Sequence, residues 1–195
     1  MESGFIMTNS GFAPAAKRAS APRFPSASLG VFWFLGSEFA IFVGLAIIFL
    51  AGRRPDWALA RQDLNVGLAA LGTLVLLASG ITMARAHAVA RSGQALAARR
   101  WLGVTLTLGV VFLVCTGAEA AGALSAGHGL GTHRFWAHWY LLTGMHASRV
   151  LGGMAAMLLV TVRRGAERHV GALGLYWLFV CLVWFAYFPL LYIAG

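Results

Sequence analysis

Residues 139–153 read W-Y-L-L-T-G-M-H-A-S-R-V-L-G-G, and this stretch decides how the chain folds. It is apolar enough to lie in a lipid bilayer, yet it carries His146 and Arg149 one helical turn apart. A charged side chain at that depth is costly unless it is paired or faces the interior of the protein. The stretch therefore predicts a membrane-spanning helix whose polar side chains need partners on other helices.

The composition of the 195-residue chain indicates an integral membrane protein. Hydrophobic residues make up 59% of it and charged residues only 11%, whereas about 25% of the residues of a soluble domain are charged. The net charge is +9, but the basic residues fall mostly in short segments between apolar runs, so we expect no nucleic-acid partner. Cys115 and Cys181 both lie inside apolar runs, which predicts buried free thiols.

Five stretches are long enough to cross a bilayer core, which requires about 20 apolar residues of helix. We therefore predict an all-α, five-helix transmembrane bundle over residues 29–195. The predicted helices cover about residues 29–51, 64–84, 101–124, 135–162 and 172–194. Residues 1–28 are rich in Ser, Ala and Pro and contain three basic residues, so we predict a disordered basic cytoplasmic tail.

Positive charges are distributed unevenly between the two sides of this bundle. The tail, the second-to-third loop and the fourth-to-fifth loop share one side and contain ten Lys and Arg residues, against four on the other side. Because cytoplasmic segments are enriched in Lys and Arg, the bias predicts a cytoplasmic N-terminus and an external C-terminus. The excess of Arg over Lys and the abundance of Ala and Gly suggest a bacterial source, so we expect a multi-pass protein of the bacterial inner membrane.

A first group of polar side chains is expected to meet near the membrane midplane. At a rise of about 1.5 Å per residue, Glu38 lies about 15 Å and Arg149 about 20 Å from the cytoplasmic end, so the two can form an ion pair. Thr143 and His146 share the helix face of Arg149 and complete an intramembrane polar cluster. The cluster either locks the helices together or takes part in proton supply, lipid head-group binding or subunit contact.

A second polar pair is expected nearer the outer surface, where Glu119 on the third helix matches the depth of His138 on the fourth. Neither this pair nor the first group predicts a catalytic or metal site. His138 and His146 share one helix, two turns apart, and cannot face each other across a porphyrin. The chain also has no Cys-His cluster suited to copper.

Five motifs occur in order along the spans. They are F-W-F-L-G-S-E-F-A-I-F at 32–42, L-N-V-G-L-A-A-L-G-T-L-V-L-L-A-S-G-I-T-M-A at 64–84, F-L-V-C-T-G-A-E at 112–119, L-T-G-M-H-A-S-R-V at 142–150 and Y-W-L-F-V-C-L-V-W-F-A-Y-F-P-L-L-Y at 176–192. Together they resemble subunit III of the haem-copper respiratory oxidases. This family includes a short five-helix form and a branch associated with nitric oxide reductases, whose F-P-L-L-Y ending is similar to the one here.

The resemblance implies an accessory subunit without cofactors of its own and without catalytic residues. Its partner would be the catalytic subunit I of a cytochrome c or quinol oxidase, or the catalytic subunit of a nitric oxide reductase, and the haem and copper would be in that partner. Subunit III would hold phospholipid in a cleft between its first two helices and the rest, and would support turnover stability, oxygen access and proton uptake. The alternative interpretation is a small transporter or channel with a polar path through Glu38, Arg149 and His146.

Four positions depart from the pattern of the family that the chain resembles. Arg149 stands where the family motif T-G-x-H-x-x-H-V has its second histidine. Leu178 and Cys181 replace a histidine and an aspartate of the last helix, and Thr116 replaces a lysine common in the short branch. The first change adds a permanent charge near the midplane and the others remove ionisable groups, so we expect a rearranged polar cluster.

Overall fold

The structure is a computed structural model that describes residues 26–163 and 169–193, with side chains from residue 30 onward. The described helices are α1 (Ser26–Ala51), α2 (Trp57–Arg61), α3 (Val66–Arg91), α4 (Ala95–Ser125), α5 (Arg134–Val162) and α6 (Val170–Phe188), and α6 continues into a π-helical turn (Pro189–Ile193). All except the short α2 contribute a span that is long and apolar enough to cross a membrane.

The predicted all-α architecture with five spans is therefore confirmed. The chain is a multi-pass membrane protein, and the direction in which it crosses the membrane stays a prediction. Most of the predicted tail, residues 1–28, lies outside the described residues.

Helices α3 and α4 extend well past the apolar stretches that predict them. The 31 residues of α4 span about 46 Å at 1.5 Å per residue, which exceeds the bilayer core of about 30 Å. The added turns are rich in Ala and Arg, which favour helix, so the helices continue into the membrane interface. A short turn joins them at Gly93, whose φ of +77° is a conformation that glycine adopts at low cost.

The centre of the bundle is formed by α3, α4, α5 and α6. α3 packs along α4 and also against α6, while α5 packs against α4 and α6. α1 contacts mainly α6, and only 17% of the residues in its most apolar 18-residue stretch are buried. α3 therefore belongs to the central bundle and α1 lies at its edge, and phospholipid binding in a cleft beside the first two spans stays a prediction.

Indole hydrogen bonds explain why α3 stays with the central bundle. Trp177 Nε1 on α6 donates to Ser79 Oγ on α3 at 2.9 Å, and Trp184 Nε1 donates to Thr73 Oγ1 at 2.9 Å. All four side chains are buried. In a lipid environment, close packing and hydrogen bonds between helices take over much of the role that the hydrophobic effect has in water. These two bonds therefore fix the register of α6 on α3.

Candidate functional site

The predicted partners Glu38 and Arg149 are in contact. Arg149 on α5 donates from Nε to Oε2 of Glu38 on α1. The Glu38 side chain is 8% exposed and that of Arg149 is 25% exposed. A further nitrogen, Nη1, donates to the neighbouring Ser148 Oγ at 3.1 Å. The pair neutralises two charges that would each be costly in the membrane, and it forms a polar link between α5 and the edge helix α1.

Tyr176 extends this link to α6. Its hydroxyl donates to the backbone oxygen of Arg149 at 2.8 Å, and its ring centroid lies 6.1 Å from that of Phe34 on α1. The same ring lines a groove of about 430 Å³ between α1, α5 and α6, which also includes Gly152 and His169. Most of the remaining lining is aliphatic, so the groove can accommodate a hydrocarbon chain.

The other two members of the predicted cluster make no described hydrogen bond to the ion pair. Thr143 Oγ1 donates to Trp139 O on its own helix at 2.6 Å. His146 is completely buried, with its ring 4.8 Å from Trp184 and 5.6 Å from Phe112, centroid to centroid. Neither ring nitrogen of His146 has a hydrogen-bond partner in the part of the chain that the structure describes. Aromatic rings surround the imidazole, and no described hydrogen bond joins it to Arg149 or Glu38.

The predicted second pair is not formed, because Glu119 has other partners. Its Oε2 accepts a 2.8 Å hydrogen bond from the hydroxyl of Tyr192 in the π-helical turn. The same hydroxyl accepts from Trp139 Nε1 at 3.2 Å. This chain of three buried side chains connects α4, α5 and the end of α6. Sequence reasoning missed Tyr192, although a tyrosine at the end of an apolar span is a signal for a polar contact at that depth.

His138 is directed to a different side of α5 from Trp139. Its Nδ1 donates to Arg134 O at 2.7 Å, and its ring lies 5.3 Å from that of Trp57 and 6.2 Å from that of Phe49. Consecutive residues of an α-helix point about 100° apart. Trp139 therefore faces Tyr192 and, through it, Glu119, while its neighbour His138 faces α1 and α2.

Two histidine–aspartate contacts join the loops at the end of the bundle that carries α2. His133 Nε2 lies 3.0 Å from Asp56 Oδ2, and His128 Nε2 lies 3.1 Å from Asp63 Oδ2. The hydrogen bond from His133 lowers the pKa of the Asp56 carboxyl below its ordinary value. The sequence places these groups in loops on one side of the membrane but does not show which histidine meets which aspartate.

The substituted positions of the last helix have different surroundings. Leu178 is 53% exposed on the outer surface of α6, whereas Cys181 is buried and its thiol lies 3.5 Å from Leu76 O on α3. Cys115 and Cys181 are both buried free thiols, as predicted. Among residues 26–163 and 169–193, no group of three or more His, Cys, Asp or Glu side chains is arranged to hold a metal ion.

Comparison with known proteins agrees with this architecture. The family profile of cytochrome c oxidase subunit III matches residues 25–195. A probable cytochrome c oxidase subunit 3 of Mycobacterium bovis is 30% identical over 193 residues, which cover 94% of this chain and 95% of that protein.

Two further relatives come from other bacteria. A cytochrome c oxidase subunit 3 of Thermostichus vulcanus is 30% identical over 175 residues, covering 85% of this chain and 86% of that protein. A protein of the same name from Corynebacterium diphtheriae is 28% identical over 191 residues, covering 91% and 93%. Since the family profile and the relatives cover nearly all of the chain, and the five spans are present, the chain belongs to the cytochrome c oxidase subunit III family.

Proposed function

We propose that this chain is an accessory subunit III that packs on the haem-bearing catalytic subunit of a respiratory complex in the bacterial inner membrane. The observation that carries the proposal is the family match over residues 25–195, supported by relatives named cytochrome c oxidase subunit 3. Those names favour a haem-copper oxidase over a nitric oxide reductase as the complex. Haem and copper belong to the partner subunits, and this chain supports oxygen access and proton uptake there.

The role of the Glu38–Arg149 pair in this proposal is to hold α1 on the bundle. α1 has a small buried fraction, so it depends on specific polar contacts for its position. Arg149 supplies one such contact, and Tyr187 on α6 supplies another through a 2.8 Å hydrogen bond to Phe42 O. In the same proposal the side chains of Thr143 and His146 pack in the interior of the bundle.

Phospholipid binding is the second part of the proposal. The groove between α1, α5 and α6 has a volume of about 430 Å³, and its lining is apolar apart from a few groups such as Tyr176 and His169. An acyl chain fits these dimensions and this chemistry. This location replaces the cleft that the family resemblance implies, because α3 is part of the central bundle.

Purification from the native membrane tests the proposed function. A tagged full-length chain, expressed at its native level, is expected to bring down a haem-bearing subunit, seen as a Soret absorption band and identified by mass spectrometry. The purified complex is then assayed for consumption of oxygen and of nitric oxide, which distinguishes the two kinds of complex. Recovery of the chain without a haem-bearing partner, in a detergent that preserves other respiratory complexes, would contradict the proposal.

Reconstitution of the isolated chain tests the transporter alternative. Liposomes that contain the chain alone are expected to show no more proton or anion flux than empty liposomes. Flux that disappears on Arg149→Leu, with the protein still folded, would support the alternative instead.

A further inference from the structure

A small cavity lies beside Glu119 at the end of the bundle that carries α2. It has a volume of about 110 Å³ and is lined by Asp63 and Asn65 before α3 and by Ala118, Glu119 and other residues at the end of α4. A water molecule occupies about 30 Å³ in the liquid, so the cavity has room for about three waters. A carboxylate and an amide in its lining provide the polar partners that buried water requires.

One oxygen of Glu119 lacks a hydrogen-bond partner in the described part of the chain. Glu119 is only 6% exposed, and its Oε2 is bound by the Tyr192 hydroxyl, but Oε1 has no partner among the described residues. A buried polar oxygen without a partner is costly, and water in the adjoining cavity satisfies it.

The two membrane glutamates differ in their counter-charges. Glu38 is paired with Arg149, whereas none of the described basic side chains forms an ion pair with Glu119. Asp63 and its partner His128, 3.1 Å apart, lie at the side of the cavity towards the loops. A carboxylate in a membrane domain needs a neutralising charge, and a proton is the one that a hydrated cavity can deliver.

The titratable groups around Glu119 come from several elements. Asp63 lines the cavity from the segment before α3, and Cys115 lies one turn earlier on α4. Tyr140 on α5 donates to Ala120 O and to His128 O at 3.4 and 2.9 Å. Tyr192 donates to Oε2. His128, bound to Asp63, is the basic side chain of this set, and no described basic side chain forms an ion pair with Glu119, so a proton is left as its mobile counter-charge.

We infer that Glu119 is a proton-binding site that exchanges with the aqueous phase at the α2 end of the bundle through water in this cavity. A hydronium ion at the Asp63 side passes its proton along the cavity waters to Oε1, which leaves water behind and a neutral carboxyl group. The reverse transfer returns the proton to water and restores the carboxylate. Tyr192 holds Oε2, so Oε1 is the oxygen that exchanges.

This site goes beyond the proposed accessory role and does not depend on it. In the predicted topology the site faces the external side of the membrane. The proposed support of proton uptake acts from the cytoplasmic side. All residues that form the site come from this chain, so the inference can be tested without a partner subunit.

Infrared difference spectroscopy of the purified full-length chain in lipid nanodiscs tests the inference. Acidification is expected to produce a carboxylic-acid C=O band that shifts in D₂O, is missing in Glu119→Gln and is retained in the exposed-loop control Asp56→Asn. An acid-induced band that is the same in wild type and in a folded Glu119→Gln protein would overturn the assignment.

Two further variants keep the test decisive if Glu119→Gln does not fold. Tyr192→Phe removes the hydrogen bond to Oε2, so the C=O band is expected to move in frequency, and an unchanged band overturns the assignment. Ala118→Leu adds volume at the cavity wall and is expected to slow the D₂O exchange of the band, whereas Ala121→Leu on the exposed side of the same helix leaves it unchanged. Equal exchange in the two leucine variants rules out the cavity as the route.

Discussion

Arg149 Nε donates a hydrogen bond to Oε2 of Glu38, and this contact joins α5 to α1 across 111 positions of sequence. Glu38 is buried and Arg149 is partly exposed, so the arginine reaches from the side of α5 to a carboxylate enclosed between helices. Tyr176 fixes the backbone of α5 at the same level through its hydrogen bond to Arg149 O. Around Arg149, the three helices α1, α5 and α6 are thus held together by polar groups.

Removal of the Glu38 charge is expected to destabilise the protein. Glu38→Gln leaves the Arg149 guanidinium without a counter-charge, and we expect a loss of about 2–4 kcal/mol, since the arginine is partly solvated. Thermal unfolding of the purified chain in detergent measures the change. The double variant Glu38→Gln/Arg149→His, which removes the permanent charge as well, is expected to recover much of the loss. Equal stability of Glu38→Gln and wild type would show that the pair contributes nothing.

A methyl group at Gly153 is expected to disrupt the packing of α5 on α6. A Cβ atom there would lie 2.9 Å from two ring carbons of Trp177 and 2.9 Å from Cε1 of Tyr176. Overpacking of this kind costs about 1–3 kcal/mol, so Gly153→Ala lowers the melting temperature. The adjacent Gly152→Ala is the matched control, because the nearest atom to its Cβ, the Tyr176 hydroxyl oxygen, is 3.8 Å away. Similar melting temperatures for the two variants would contradict the observed packing.

Loss of a hydroxyl on α3 is expected to leave a buried indole unsatisfied. Thr73→Val keeps the shape of the side chain but removes the acceptor for Trp184 Nε1, at a cost of about 1–3 kcal/mol. Thr107→Val is the control, because the Thr107 hydroxyl is exposed and bonds to Gly103 O on its own helix. In a double-mutant cycle with Trp184→Phe, we expect a coupling energy clearly different from zero. Additive effects would mean that the two side chains do not interact.

Acid is expected to release the contact between Asp56 and His133. The hydrogen bond lowers the pKa of Asp56, so the pair stabilises the loops at neutral pH and loses that contribution as the pH falls through the lowered pKa. Hydrogen–deuterium exchange of the segment 52–65, corrected for the intrinsic effect of pH, is expected to accelerate below about pH 4. Asp56→Asn should exchange faster at neutral pH and lose this pH dependence. If the exchange of this segment in Asp56→Asn depends on pH as it does in the wild type, the prediction is contradicted.

Much of the fold could be predicted because membrane insertion depends on local sequence. The apolar runs predict five spans, and all five are present. The helix ends differ, since α3 continues to Arg91 and α4 begins at Ala95, beyond the apolar segments. The hydropathy pattern detects only the residues inside the bilayer core. These helices continue into the interface, where Ala and Arg still favour helix.

The polar contacts of α5 show where prediction from sequence ends. Depth along the helices is sufficient to predict Glu38 as the partner of Arg149, because Glu38 is the acid at a matching level. The same argument predicts His138 as the partner of Glu119, but in the structure Tyr192 binds Glu119. Depth fixes only one coordinate of a side chain, and the rotation of each helix about its axis fixes the other.

The sequence by itself determined the number of spans, the membrane environment and, through its ordered motifs, the resemblance to subunit III. These properties follow from composition and order along the chain, which need no knowledge of how helices pack. Only the tertiary structure decided that His146 lies enclosed by aromatic rings, that α3 joins the central bundle and that a cavity adjoins Glu119. Each of these depends on how helices rotate and approach one another, and that is set by side-chain packing between residues far apart in sequence.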